Sequence, residues 1–333
     1  MSVRNNKKTI KRVLTGFALL VMILFPLLLK NNYLLSVGVS FLVFACLGSA
    51  WNLIGGYAAQ ISWCHAAFVA IGSYTSVIMF NSLRISPWIG MLAGMAISAI
   101  AAIVIGSISF RLRGPFFSLS TIAFAELVRV FLQYKKDLTK GSNGLVVTYK
   151  QDSFANLTFS SDIYYYYIML AFLIITLLIV WKVERSRLGY YLKAIKADED
   201  AVQSLGINSN IVKLKAFVIS ALIASAVGTV YAFFLTYIDP ASVGGIDLSM
   251  KIGSMAIVGG MGTLIGPILG AAFLIPLSEI ANILLGSSGS GMLLYGLMLI
   301  IVFTYRPKGI RSLFFKDHVH NMRASVHTKK GGE

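Results

Sequence analysis

Long apolar runs separated by short polar or charged breaks divide the 333 residues into stretches of about 20 residues, the length an α-helix needs to cross a bilayer. The pattern predicts helices over about 12–30, 33–54, 57–80, 87–111, 115–134, 162–182, 214–238 and 289–305. The region 251–285 is too long and too broken for one helix, because it carries Gly253, Gly259, Gly260, Gly262, Gly266, Pro267, Gly270 and Pro276. Two helical pieces joined near Gly262–Pro267 are expected there, either as two short crossings or as a re-entrant pair. The expected fold is therefore an all-α polytopic membrane protein. It is a bundle of about eight to ten transmembrane segments with broken or re-entrant helices, one membrane domain over 13–305 between a basic N-terminus (1–12) and a basic tail (306–333).

Two polar interruptions are long. Residues 135–161 form a loop with turn signals at Gly141-Ser-Asn-Gly144 and several aromatics. Residues 183–213 are charged but helix-prone: Leu188, Leu192 and Ile195 recur at helical spacing, as do Ala201, Ser204 and Leu205. Two short helices are expected, each with one apolar stripe that needs a partner surface.

Composition agrees with this pattern and narrows it. With 57% hydrophobic and 13% charged residues and a mean hydropathy of +0.77, the chain is too apolar for a soluble globular domain. A net charge of +16 suggests a nucleic-acid partner only until the charges are located. Of the 29 Lys and Arg, 21 fall in residues 4–12, at Arg111 and Arg113, in 182–215 and in 306–333, four segments that one topology places on the same side of a membrane. This is the positive-inside bias, and it argues for orientation rather than for nucleic acid. Both termini and 183–213 are expected in the cytosol, and 135–161 outside. The basic N-terminus and the run Val13 to Leu29 resemble a signal peptide, but Lys30-Asn-Asn follows without a small-x-small cleavage site, so an uncleaved first crossing is expected. Cys46 and Cys64 lie in apolar stretches with no ligand spacing and indicate neither a disulfide framework nor a metal site.

Polar residues inside the apolar runs are the candidates for a solute pathway, because at that depth they face protein or water. Gln60, Ser62 and His65 cluster in the third run, where a hydrogen bond to a neighbouring helix competes with solute contact. Glu126 and Arg129 share a helix face three residues apart and can pair, so an internal salt bridge that fixes helix position is the alternative role. Lys251 and Glu279 are expected near interfaces, snorkelling. Gly114-Pro115, like the glycines after Gly259, marks a helix break. Breaks of this kind either expose main chain to a polar solute or let helices pack closely. No catalytic constellation, metal site or Walker-type phosphate loop is present.

Five ordered blocks resemble one family. They are Gly56 to Tyr74, Arg111 to Glu126, Gly141 to Gly144, Arg187 to Ile207 and Gly259 to Ala271, and they are similar to the permeases of branched-chain amino acid ABC transporters, specifically the LivM-like branch. The resemblance implies a permease subunit in the bacterial plasma membrane that pairs with a second, LivH-like permease, two cytosolic ATPase subunits that bind the ATP, and an external solute-binding protein. No cofactor is then expected in this chain. It further implies that Asp198, Glu199, Asp200, Ala201, Leu205, Gly206 and Ile207 couple the permease to the ATPase, since Asp200-Ala201-Val202 followed by Gly206 is similar to the coupling pattern Glu-Ala-Ala, three residues, Gly. The family's usual Gly-Gln-x-Ser-Leu-Gly-His appears here as Ala59-Gln-Ile-Ser-Trp-Cys-His65, a departure that bears on the solute more than on the fold. Importers of urea or short amides carry similar permeases and are the alternative of the same class. A membrane scaffold without transport is the alternative of another.

Overall fold

A computed structural model describes residues 21–26, 31–285 and the isolated positions 296, 297, 300, 304 and 310. The crossings predicted over 12–30 and 289–305, and both basic ends, lie wholly or mostly outside these residues.

Residues 21–26 are helical, and α1 follows over Asn32–Gly55, opened by Asn31, whose side chain accepts from the Tyr33 amide. α2 spans His65–Leu83. α3 (Pro87–Ser109) and α4 (Pro115–Tyr134) each start on a proline, which suits the first helical position because the missing N–H would have no helical partner there. A four-residue helix, α5 (Lys136–Thr139), leads into the 135–161 loop. α6 covers Asp162–Arg185, α7 Arg187–Ala197, α8 Glu199–Ser204 and α9 Ser209–Leu235. The chain continues as α10 (Pro240–Gly244), α11 (Ile246–Gly259) and α12 (Gly266–Leu285). Seven of these helices, α1, α2, α3, α4, α6, α9 and α12, are long and apolar enough to cross a membrane.

α9 is the centre of the bundle, packed along α2, α3 and α1, with α6, α11 and α12 against α1. Small residues bring α2 and α9 together. A Cβ on Gly72 would lie 2.1 Å from the Ser225 carbonyl oxygen, and one on Gly228 2.5 Å from that of Val69. The contact is tied by hydrogen bonds from Ser73 Oγ to Gly228 O (2.8 Å) and from Thr229 Oγ1 to Gly72 O (3.2 Å). With no hydrophobic drive between helices in lipid, close approach of this kind supplies the packing.

The bundle has two distinct ends. One carries α7, α8 and the Gly260–Ile265 turn, brought together by Lys196 Nζ donating to Gly56 O (2.8 Å) and the Gly262 amide donating to Asn52 Oδ1 (2.8 Å). The other carries the 135–161 loop. There a two-residue strand β1 (Leu145–Val146) pairs antiparallel with β2 (Tyr237–Ile238), and Trp88 and Ser86 hold the loop at Phe154 O and Ala155 O.

The structure corrects three expectations. The third run is not helical from residue 57. Residues 56–64 are irregular and the helix begins at His65, because side chains of other elements satisfy the main chain there. Trp51 Nε1 donates to Ser62 O (2.6 Å), Ser118 Oγ to Ile61 O (2.8 Å), and the Trp63 amide to Thr121 Oγ1 (3.0 Å). The loop predicted over 183–213 is shorter, since α6 runs to Arg185 and α9 starts at Ser209. Lys251 is not at an interface: its ammonium sits 4.3 Å from the ring centre of Phe44, midway along α1. Glu279 instead accepts from the Tyr33 hydroxyl at 2.9 Å, beside the start of α1.

The 251–285 region contains two pieces, α11 and α12, packed on each other and joined by the Gly260–Ile265 turn. α11 has 14 residues, about 21 Å of helix, too short to cross alone. Its first turn is already inside the bundle, where Ser249 Oγ accepts from the Ala66 amide (3.0 Å). The crossing is completed by α10, which ends at Gly244 against Ala70 of α2. One crossing is thus broken at Gly244-Gly245, and α12 forms the next.

Candidate functional site

α8 is built by its flanks. Asp198 caps it, accepting from the Ala201 amide at 3.0 Å, and Asn208 caps α9 in the same way. Between them Gly206 adopts φ +81, the left-handed backbone that glycine takes without a Cβ penalty. Two ion pairs then fix α8 to separate spanning elements. Arg113, in the α3–α4 turn, donates to Asp200 at 2.8 Å. Lys213, on the first turns of α9, donates to Glu199 Oε1 at 2.6 Å, and Ser209 Oγ donates to the same oxygen at 2.7 Å.

These pairs differ in weight. Arg113 and Asp200 are 72% and 70% exposed and Lys213 only 3%, so the second pair is the anchor. Burial pushes the Glu199 carboxyl up, but hydrogen bonds from Lys213 and Ser209 and the charges of Lys213 and Arg113 outweigh it and hold the group below its ordinary value. Burial lowers the Lys196 ammonium, the group that ties α7 to Gly56.

The sequence assigned the apolar stripe of α8 to Ala201, Ser204 and Leu205. The structure buries Val202 instead and leaves those three exposed, Leu205 at 80%. In α7, Leu192 and Ile195 are buried as a stripe requires. The six-residue α8 has its inner face on Val202 and an uncovered outer edge formed by Ala201, Leu205 and Gly206, with Ile207 half-buried. Arg113, Lys213 and Lys196 belong to this end and were read from sequence only as markers of orientation. For Arg113 and Lys213 the signal was position, each within a few residues of an apolar run; Lys196, in the middle of the charged stretch, carried none.

The polar residues of the third run lie deeper. His65 is fully buried at the start of α2, with Nε2 2.7 Å from Ser220 Oγ of α9. Ser220 spends its one hydroxyl proton on Ala50 O (2.6 Å), so the imidazole Nε2–H is the donor and Nδ1 the bare acceptor, without a partner among the described residues. Ser62 is buried with its hydroxyl 3.2 Å from Cys64 Sγ. Gln60 is half-buried nearer the α7–α8 end, its main-chain N–H donating to Ile54 O. Glu126 stands apart on α4, joined to Arg129 by a bidentate ion pair, Nε to Oε2 at 2.9 Å and Nη2 to Oε1. The four pathway candidates therefore divide: Ser62 and His65 within the core, Gln60 at its margin, Glu126 on an open face.

The break residues sit at helix ends. Gly114 precedes α4 and Pro115 opens it; Gly259 closes α11 and Gly260 follows; Gly262 lies in the turn, and Gly266 and Pro267 start α12. A Cβ on Gly259 would fall 1.7 Å from Gly266 O, so the two helices meet main chain to main chain. No group of three His, Cys, Asp or Glu is arranged for a metal among the described residues.

A lipid-spanning helical bundle with an interrupted crossing, mid-depth polar groups and a short anchored helix at one end has the build of a multi-pass membrane permease. The chain belongs to the family described as branched-chain amino acid transport system / permease component, which matches residues 33–303. It is 27% identical to the high-affinity branched-chain amino acid transport system permease protein LivM of Salmonella typhimurium, over 91% of this chain and 75% of that protein. It is 26% identical to LivM of Escherichia coli with the same coverage, and 26% identical to LivH of Salmonella typhimurium, over 80% of this chain and 90% of that protein. These relatives are transport permease subunits rather than enzymes.

Proposed function

We propose that this chain is the transmembrane permease subunit of an ABC importer for branched-chain amino acids in a bacterial plasma membrane, with both termini and α7–α8 in the cytosol. It works beside a second, LivH-like permease subunit, an external solute-binding protein and two ATPases that bind the nucleotide. The observation that carries this reading is α8, clamped to the α3–α4 turn through Arg113 and to α9 through Lys213, yet presenting Leu205 and Gly206 uncovered. A helix so held passes displacement into the bundle at two points, and its open edge is where an ATPase groove fits. Asp198 to Ile207 are the coupling residues; Asp198 does so by capping, Glu199 and Asp200 by holding the clamp.

The permease pair, ATPases and binding protein, reconstituted in vesicles, should take up leucine on addition of ATP. Uptake of urea without leucine would move the solute to the amide class, and absence of any flux with all partners present would leave only a scaffold.

A further inference from the structure

The bundle leaves an ion pair open in the middle of a crossing. Glu126 and Arg129 are the twelfth and fifteenth of the 20 residues of α4, and their side chains are 48% and 27% exposed. α4 turns Phe117, Thr121, Ala125 and Leu132 to the bundle, so the pair looks past that face to the outside of the chain. Lipid tolerates charge at such depth poorly, which makes this surface one that meets protein or water. Beside it is the broken crossing. A Cβ on Gly244 would lie 3.9 Å from Arg129 Cβ, α11 begins two residues later, and Asp247 is exposed in its first turn.

We propose that Arg129, Glu126 and Asp247 form a station for a zwitterionic amino acid, Arg129 taking the α-carboxylate and the two carboxylates the α-ammonium. Arg129 commits Nε and Nη2 to Glu126, and the guanidinium has five donors, so its Nη1 edge remains for a second carboxylate. Without solute the Glu126–Arg129 pair neutralises itself. With solute, the pair and Asp247 become a five-charge array, Arg129 and the α-ammonium each lying between carboxylates. A neutral amide such as urea can hydrogen-bond there but brings no charge to pair with Arg129 or the carboxylates. The proposal rests on the importer reading and specifies its solute by charge.

The test is made on the assembled transporter with saturating binding protein, so that loss of leucine uptake by the wild type would sink the importer reading itself. Given wild-type uptake, Arg129→Gln should lower leucine uptake about tenfold or more, the effect of losing a charge-assisted contact, while ATP hydrolysis stimulated by the binding protein persists. The exchange E126R/R129E restores an ion pair on the same helix face with its polarity reversed. It should recover assembly and thermal stability but not uptake. Wild-type uptake in the exchanged variant would make the pair a structural brace and overturn the proposal, as would undiminished uptake in Arg129→Gln. If Arg129→Gln does not assemble, Glu126→Gln carries the same expectation and the same refutation.

Discussion

Glu199→Gln removes the carboxylate that faces Lys213 and leaves an ammonium whose side chain is 3% exposed. Breaking a buried ion pair from one side costs about 3–5 kcal/mol. Glu199 is 25% exposed, so water reaches the pair and the expected loss is about 2–3 kcal/mol. Lys213→Met strands the carboxylate instead, but Ser209 still donates to it, and about 1–2 kcal/mol is expected. The double variant buries no unpaired charge and places a methionine near the Phe110 ring, which the ammonium faces at 5.5 Å; it should fall within about 1 kcal/mol of wild type. The cycle thus predicts a coupling of about 2–5 kcal/mol, read from thermal melting of the purified protein. Acid titration checks the same pair. The folded-state pKa of Glu199 lies below its ordinary value of 4.5, so its contribution is complete above that pH and is lost as pH falls below it toward the folded value. Glu199→Gln should flatten that acid limb. A double variant as unstable as Glu199→Gln would refute the account, since the loss would then come from something other than a stranded charge.

Asp200→Asn breaks a surface pair and should change stability by less than about 0.5 kcal/mol, yet lower uptake per ATP hydrolysed, because Asp200 links α8 to the α3–α4 turn; unchanged coupling would remove it from the clamp. Gly228→Ala sets a Cβ against the Val69 carbonyl, main chain that cannot rotate away, and should cost about 1–3 kcal/mol, seen as reduced folded yield; Gly206→Ala meets open space and should cost only the left-handed strain, about 1–2 kcal/mol. His65→Ala empties a fully buried site and should cost about 2–4 kcal/mol in melting experiments, whereas Ser220 keeps its bond to Ala50.

The crossings were legible because a run of some 20 apolar residues has few other uses, and the family blocks because they came in order. What remained hidden has a common cause. Tyr57 to Cys64 runs into the helix that follows it without a Pro, Gly or charged residue between them, and the groups that hold it irregular, Trp51, Ser118 and Thr121, belong to other helices, so no strong local signal marks His65 as a helix start. The α8 stripe failed for a different reason. Six residues give less than two turns, and the one buried position, Val202, is chosen by what α8 packs on rather than by spacing. The Lys213–Glu199 pair joins residues 14 apart in sequence, beyond any helical repeat that would suggest it. On the open face of α4 the three-residue spacing pointed to Glu126 and Arg129 as a pair, but not to their being uncovered or to Gly244 lying beside them.

The irregular stretch before α2 also bears on how the protein is made. A nascent helix enters the membrane with its own hydrogen bonds closed, but Ile61 and Trp63 depend on Ser118 and Thr121 of α4, which emerges from the ribosome more than fifty residues later. Until then these main-chain groups have to stay near water or in the insertion machinery, since hydrocarbon offers them nothing. Assembly of this half of the bundle therefore waits for α4, and a chain released before α4 is complete would be left with an unfinished third crossing, a ready mark for membrane quality control.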